Sequence, residues 1–231
     1  MDWLKSLLSL FANLFSPVPS APLASPKKVE VVFPKLSPTG YTIRLKAEAE
    51  KKGKMPDDYT PEADYAKPYG YDALIGPGGK IEATYCNYFT RTVCRWFGWT
   101  EFRHEDDDQA SEICRYMRSH AEYWMKLEGN FSYTIMGSNQ QVVRLGPDYE
   151  AAVKYACRGG LVVAAQENPD NKAHGHVCII APEPKLLVSP KWGRSVPIAA
   201  NVGKTNFYGQ ALSWAFALEP ELYLYRGGRP A

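Results

Sequence analysis

Two rhythms of apolar residues divide the chain, a helical one over roughly its first two thirds and a shorter, nearly continuous one over the remainder. Residues 3–15 place Trp3, Leu4, Leu7, Leu8, Phe11, Leu14 and Phe15 at helical spacing, and Pro17, Pro19, Pro22 and Pro26 then end that helix and open a linker. From residue 86 to about 97, Tyr85, Phe89, Val93, Trp96 and Phe97 form one apolar stripe, with Gly98 where a C-terminal cap belongs. Asp106, Asp107 and Asp108 precede a second stripe of Ala110, Ile113, Met117, Ala121, Trp124 and Leu127, closed by Gly129. That acidic run reads as a helix start favoured by the dipole and not as a metal site. A third helix is predicted over 147–158, with Asp148 and Glu150 near its positive end and Gly159-Gly160 ending it.

After residue 160 the period changes. Residues 161–165, 177–181, 185–188, 196–200 and 222–225 are short apolar runs bounded by Pro, Gly, Asn or Asp, the pattern of antiparallel strands. Helices followed by sheet predict an α+β layout. Residues 27–80 carry one strand signal at 29–33, a charged stretch at 44–54 and a Tyr/Pro/Gly-rich irregular connection at 65–79. The expected organisation is an amphipathic helix with a Pro-rich linker over 1–26 and a single α+β domain over 27–231. No internal repeat is visible.

Composition changes this picture little: 45% hydrophobic residues in a chain of 231 can bury one sizeable core. A net charge of +2 arises from 27 basic and 25 acidic residues spread along the sequence, so there is no basic stripe to argue for nucleic acid. The apolar run at 3–15 is far shorter than the ~20 residues a bilayer span requires. A surface helix, a docking helix or a cleaved export signal with its small residues at Ser20-Ala21 and Ala24-Ser25 remain. Asp2, with only Lys5 as a nearby cation, favours reversible contact with a membrane or partner protein.

Five cysteines stand at 86, 94, 114, 157 and 178, an odd number without a Cys-x-x-Cys pair, so at least one thiol is unpaired within the chain. Cys94, Cys114 and Cys157 fall in helical patterns and read as small buried hydrophobes. Cys86 differs. In Thr84-Tyr85-Cys86-Asn87-Tyr88-Phe89 it opens a helix, where the positive dipole end lowers a thiol from its free value of ~8.5. Downstream, His174-Gly175-His176-Val177 opens an apolar strand and offers an imidazole base. His174, His176 and Cys178 alternate, so all three face one side, and geometry alone does not choose between the histidines.

The plainer alternatives are loop-to-strand polar residues or, with a further thiol, a zinc site, although zinc sites normally use tighter pairs. His104 and His120 read as solvated surface residues. A base also needs a partner to fix its tautomer, and Asn201-Val202-Gly203-Lys204-Thr205-Asn206 offers two amides. Asn201, at a strand end, is the first choice, with Asn206 and Gln210 further out. Tyr85 and Asn87 flank the thiol and are candidates to shape a substrate groove, though Tyr85 also fits the core stripe. This chemistry needs no cofactor and no metal.

A Cys at a helix start, two further helices, then Gly159-Gly160-Leu161-Val162-Val163-Ala164, a polar loop and Gly175-His176-Val177 resemble the papain-like cell-wall hydrolases, the NlpC-type peptidases and CHAP amidases. The resemblance spans about residues 84–206. Where NlpC-type proteins usually carry Asp-Cys-Ser, this chain has Tyr85-Cys86-Asn87, nearer to the Cys-Asn pattern of some phage and amidase-like relatives. The resemblance implies a papain-like fold, with the nucleophile helix packed on an antiparallel sheet. It also implies Cys86 as nucleophile, His176 as base and Asn201 as orienting residue; Tyr85, Asn87 and His174 stand beside that set as candidate substrate contacts. The implied activity is a thiol peptidase or amidase degrading peptidoglycan through a thioester, acting at the cell envelope, in the periplasm or outside the cell. The competing expectation is a non-catalytic peptidoglycan-binding or phage/envelope structural module on the same fold. Isopeptide or acyl-transfer chemistry by the same pair is a third.

Overall fold

The computed structural model describes residues 37–55, 69–102, 109–136, 141–168 and 175–228, with backbone alone over 130–136 and 141–145. The helix expected at 3–15, its linker, the strand at 29–33, and the residues Asp106, Asp107, Asp108, His104 and His174 lie outside the described residues. The architecture is α+β. Helix α1 (Pro38–Ala49) is followed by a small antiparallel pair, β1 (Leu74–Ile75) and β2 (Ile81–Ala83), then by α2 (Cys86–Trp96) and α3 (Ala110–Ser119). Next come β3 (Trp124–Lys126), the hairpin β4 (Glu128–Met136) and β5 (Gln141–Pro147), and α4 (Tyr149–Cys157). Six strands complete the order: β6 (Val162–Gln166), β7 (His176–Ile180), β8 (Leu186–Ser189), β9 (Arg194–Asn201), β10 (Phe207–Ala211) and β11 (Glu221–Tyr225).

Seven strands form the main sheet in the order β10-β9-β7-β6-β11-β3, with β8 paired to the first half of β9, and every pairing is antiparallel. The side-chain period of two splits the central strands cleanly. Val163, Ala165, Val177 and Ile179 enter a core shared with Phe89 and Val93 of α2 and Ile113 and Met117 of α3. Val162, Ala164, Cys178 and Ile180 enter a second core with Ala152 and Ala156 of α4. Both faces are covered, which explains why these strands read as continuous apolar runs instead of alternating ones. Among the described residues no helix is long and apolar enough to cross a membrane.

One expectation is extended and three are corrected. The stretch at 44–54 is helical through Ala49: Ser37 Oγ accepts from the Gly40 N–H at 3.1 Å, Pro38 opens the helix, and Tyr41, Leu45 and Ala49 are buried along one face. The second stripe does not continue as a helix to Leu127. Helix α3 stops at Ser119, where the Tyr116 carbonyl accepts from the His120 N–H at 3.1 Å and is also met by the Ser119 hydroxyl at 3.1 Å and His120 Nδ1 at 2.9 Å. Trp124 then pairs with Tyr225 across the sheet and joins the rings of Trp99 and Phe102, so aromatic packing outweighs helical spacing. His120 is half-buried and stacked on Tyr116 at 3.9 Å, not solvated. Finally, strands β3 to β5 interrupt the helices, so the order is not simply helices then sheet.

Candidate active site

The site is assembled where the N-terminus of α2 meets the ends of β7 and β9. Helix α2 begins at Cys86 with no acidic residue in its first turn and Arg95 in its last, so nothing in that turn neutralises its positive end. Its first internal bond runs from the Phe89 N–H to the Tyr85 carbonyl at 3.0 Å, and the Cys86 N–H precedes that ladder. The stripe of Phe89 and Val93 buries the helix against the sheet and holds Cys86, 4% exposed, over the start of β7.

His176 is the first residue of β7, paired in register with Gln166 of β6. Its Nε2 lies 2.7 Å from Asn201 Oδ1, at the end of β9. The orientation of the amide is set from its other side: Asn201 Nδ2 donates to the Thr205 carbonyl at 2.7 Å, and a carbonyl can only accept. Oδ1 therefore faces the ring, Nε2 carries the proton, and Nδ1 is left to the thiol. Cys86 and His176 lie close enough for each to bias the charge of the other. Phe216 stands against the imidazole at a ring separation of 5.0 Å and an angle of 61° and is itself buried.

The surroundings bias the charge of both groups. Burial raises the Cys86 thiol, but the His176 charge and hydrogen bond, the Val177 backbone and the Thr84 hydroxyl outweigh it, and the thiol sits below its ordinary value. A backbone group that favours the thiolate must be a donor, hence the Val177 N–H. Burial lowers the imidazole, yet Cys86 and the Asn201 amide outweigh that and hold it above its ordinary value. Each shift favours the charged form of its group, so the two reinforce each other toward a thiolate and an imidazolium. The other thiols move the opposite way: burial pushes Cys114 up to about 12 and raises Cys94, Cys157 and Cys178.

Cys86, His176 and Asn201 are thus brought together, while His174 lies outside the described residues. Cys178 points into the second core, two residues along the strand from His176. Tyr85 is 8% exposed and packed edge-on against Tyr88 with ring centroids 5.7 Å apart, in keeping with the core stripe it also fits. Asn87 is partly exposed in the first turn of α2. Asn206, the other amide, builds the turn, its Oδ1 accepting from the Gly203 N–H at 3.1 Å and its Nδ2 donating to the Tyr71 carbonyl at 3.0 Å. That second bond ties residue 71 to the site, and Tyr71 also donates to buried Glu48 at 2.6 Å and packs on Phe89.

Sequence reasoning did not single out Thr84, Gly203 or Phe216. Gly203 had a signal, since a glycine beside a presumed orienting amide marks a close approach: a Cβ there would stand 2.9 Å from His176 Cε1. Phe216 had none, lying far along the chain from either motif. Among the described residues no group of three or more His, Cys, Asp or Glu side chains is arranged to hold a metal ion. Searches of family models, curated proteins and solved structures found no match to this chain.

Proposed function

We propose that this chain is a papain-like cysteine hydrolase that cleaves an amide bond, with Cys86 as nucleophile, His176 as acid and base, and Asn201 as the residue that orients the imidazole. The observation that carries the reading is the single line of contacts from Cys86 through His176 to Asn201, in which the 2.7 Å bond at Nε2 leaves Nδ1 for the sulfur. In the reaction the Cys86 thiolate adds to the amide carbonyl, and the developing oxyanion is met by the Cys86 N–H at the positive end of α2. Collapse breaks the C–N bond as the imidazolium gives its proton to the leaving amine, and a thioester remains. A water then loses a proton to His176 as it attacks the thioester, and breaking the C–S bond releases the acid and the Cys86 thiolate beside the imidazolium, which restores the pair.

The substrate class rests on the resemblance of the Cys86 and Gly175-His176-Val177 motifs to peptidoglycan hydrolases. On this reading the substrate is a peptide or amide bond of peptidoglycan, no nucleic acid takes part, and the protein acts at the cell envelope. The N-terminal amphipathic segment would supply membrane or partner contact. Purified sacculi incubated with wild type and with Cys86→Ala, followed by separation of fragments by mass, test the proposal. Wild type should release new amine termini and Cys86→Ala none; equal release by both proteins would overturn the mechanism. Absence of release by a wild type whose Cys86 reacts as a thiolate would move the reading to another acyl-transfer substrate.

A further inference from the structure

We propose that Ser111, near the start of α3 and remote from Cys86 in sequence, is a positioning residue for His176. The inference rests on the hydrolase reading, because it concerns how the base is held. Ser111 Oγ accepts from the Gly175 N–H at 2.9 Å and from the Asn168 N–H at 3.3 Å. One hydroxyl oxygen, with its two lone pairs, therefore gathers a backbone donor just after β6 and the donor immediately before β7. Ser111 is 6% exposed, so water does not compete for either bond.

Gly175 makes this contact specific. A Cβ at that position would lie 2.2 Å from the Gln166 carbonyl oxygen and 2.7 Å from Ser111 Oγ, so the backbone there is pressed against both neighbours. The following peptide bond leads into His176, whose own β-sheet pairing, with Gln166, begins only at that residue. The entry to the strand is thus fixed by the sheet on one side and by the Ser111 hydroxyl on the other. Helix α3 is firmly anchored to bear this load, since Ala110, Ile113 and Met117 are buried in the core and Gln109 and Glu112 form a reciprocal cap at its start. The Ser111 hydroxyl bonds to the backbone of Asn168 and Gly175 and not to Cys86 or the imidazole, so it acts through the direction in which the imidazole leaves the backbone.

The test compares the pH dependence of Cys86 alkylation by iodoacetamide in wild type, Ser111→Ala and Arg118→Ala. Arg118 lies on the same helix and bonds to Glu167, beside Asn168, and to Glu221, but not to Gly175 or His176, and so reports what loosening α3 does without removing the Ser111 hydroxyl. Ser111→Ala should move the alkylation midpoint upward by about one pH unit, and so slow labelling near pH 6 about tenfold. Arg118→Ala should lower the melting temperature without moving the midpoint. An Ser111→Ala profile that overlays wild type would overturn the positioning role, and so would an equal shift in Arg118→Ala. If wild type itself labels like an ordinary thiol, the hydrolase reading fails first. Should Ser111→Ala not fold, amide exchange in wild type still decides: the Gly175 N–H should be protected, and exchange at the rate of an open peptide would overturn the proposal.

Discussion

Gly203→Ala places the sharpest demand on the geometry. The added methyl would sit 2.9 Å from His176 Cε1, 3.5 Å from Asn201 Nδ2 and 3.6 Å from His176 Nε2. Carbon atoms separate comfortably at ~3.5 Å or more, so the ring must retreat by about 0.6 Å. It has little room, because Phe216 stands on it at 5.0 Å and Asn201 holds it at 2.7 Å. The same displacement would stretch the Nε2 bond to about 3.3 Å, beyond the usual N–H···O range of ~2.7–3.2 Å. A hydrogen bond to a charged group contributes about 1.5–3 kcal/mol, so the imidazolium loses most of that support and the pair becomes roughly 10–100-fold less populated near pH 6. Alkylation of Cys86 under stopped-flow, with melting temperature followed in parallel, reads the effect. The expected result is a 10–100-fold slower reaction with a small change in stability. Wild-type alkylation in folded Gly203→Ala would refute the argument that the ring is pinned.

Other consequences follow from the same coordinates. Asn201→Ala should slow Cys86 alkylation by about the same factor, since it removes that bond outright. Asn206→Ala should instead loosen the turn and the Tyr71 tie, costing about 1 kcal/mol of stability in chemical denaturation with a nearly unchanged alkylation midpoint. Burial raises the Glu221 carboxyl, but Tyr223, Lys126 and Arg118 outweigh it and leave it lowered; Glu167 is likewise lowered by Arg115 and Arg118 against its burial. Their stabilising contribution is present above the unfolded carboxylate range, ~4.3, and is lost as pH falls through the folded values. Arg118→Ala, with its guanidinium partly exposed, should cost about 1–2 kcal/mol near pH 7 and show a shallower acid loss of melting temperature than wild type.

Much of the grouping in the candidate site was legible because its signals are local. Cys86 at a helix start, His176 at a strand start and Asn201 at a strand end each carry their meaning in a few neighbouring residues. The choice between Asn201 and Asn206 was legible only in part: both are Asn in one turn, and what separates them is the Thr205 carbonyl that orients one amide and the Tyr71 carbonyl that captures the other. Ser111 and Phe216 reach His176 or its flank only through long-range folding, so no local pattern announces them. In the fold, the helical spacing of Ala121, Trp124 and Leu127 concealed a strand, because rings of Trp99, Phe102 and Tyr225 supply the packing that decides it. The alternation of Phe131, Tyr133 and Ile135 before Gly137-Ser138-Asn139 was a readable hairpin signal, masked by the helix assigned just before it. Ser37-Pro38 was an equally readable helix start, hidden by the charges that follow it.

The most direct measurement of the central claim is the alkylation rate of each of the five thiols as a function of pH, followed by mass spectrometry of labelled peptides from the full chain. The account predicts that Cys86 labels first, with a midpoint below the ~8.5 of a free thiol, while Cys94, Cys114, Cys157 and Cys178 stay slow across the neutral range. Labelling of Cys86 that rises only above pH ~8, at the pace of the other four, would contradict it.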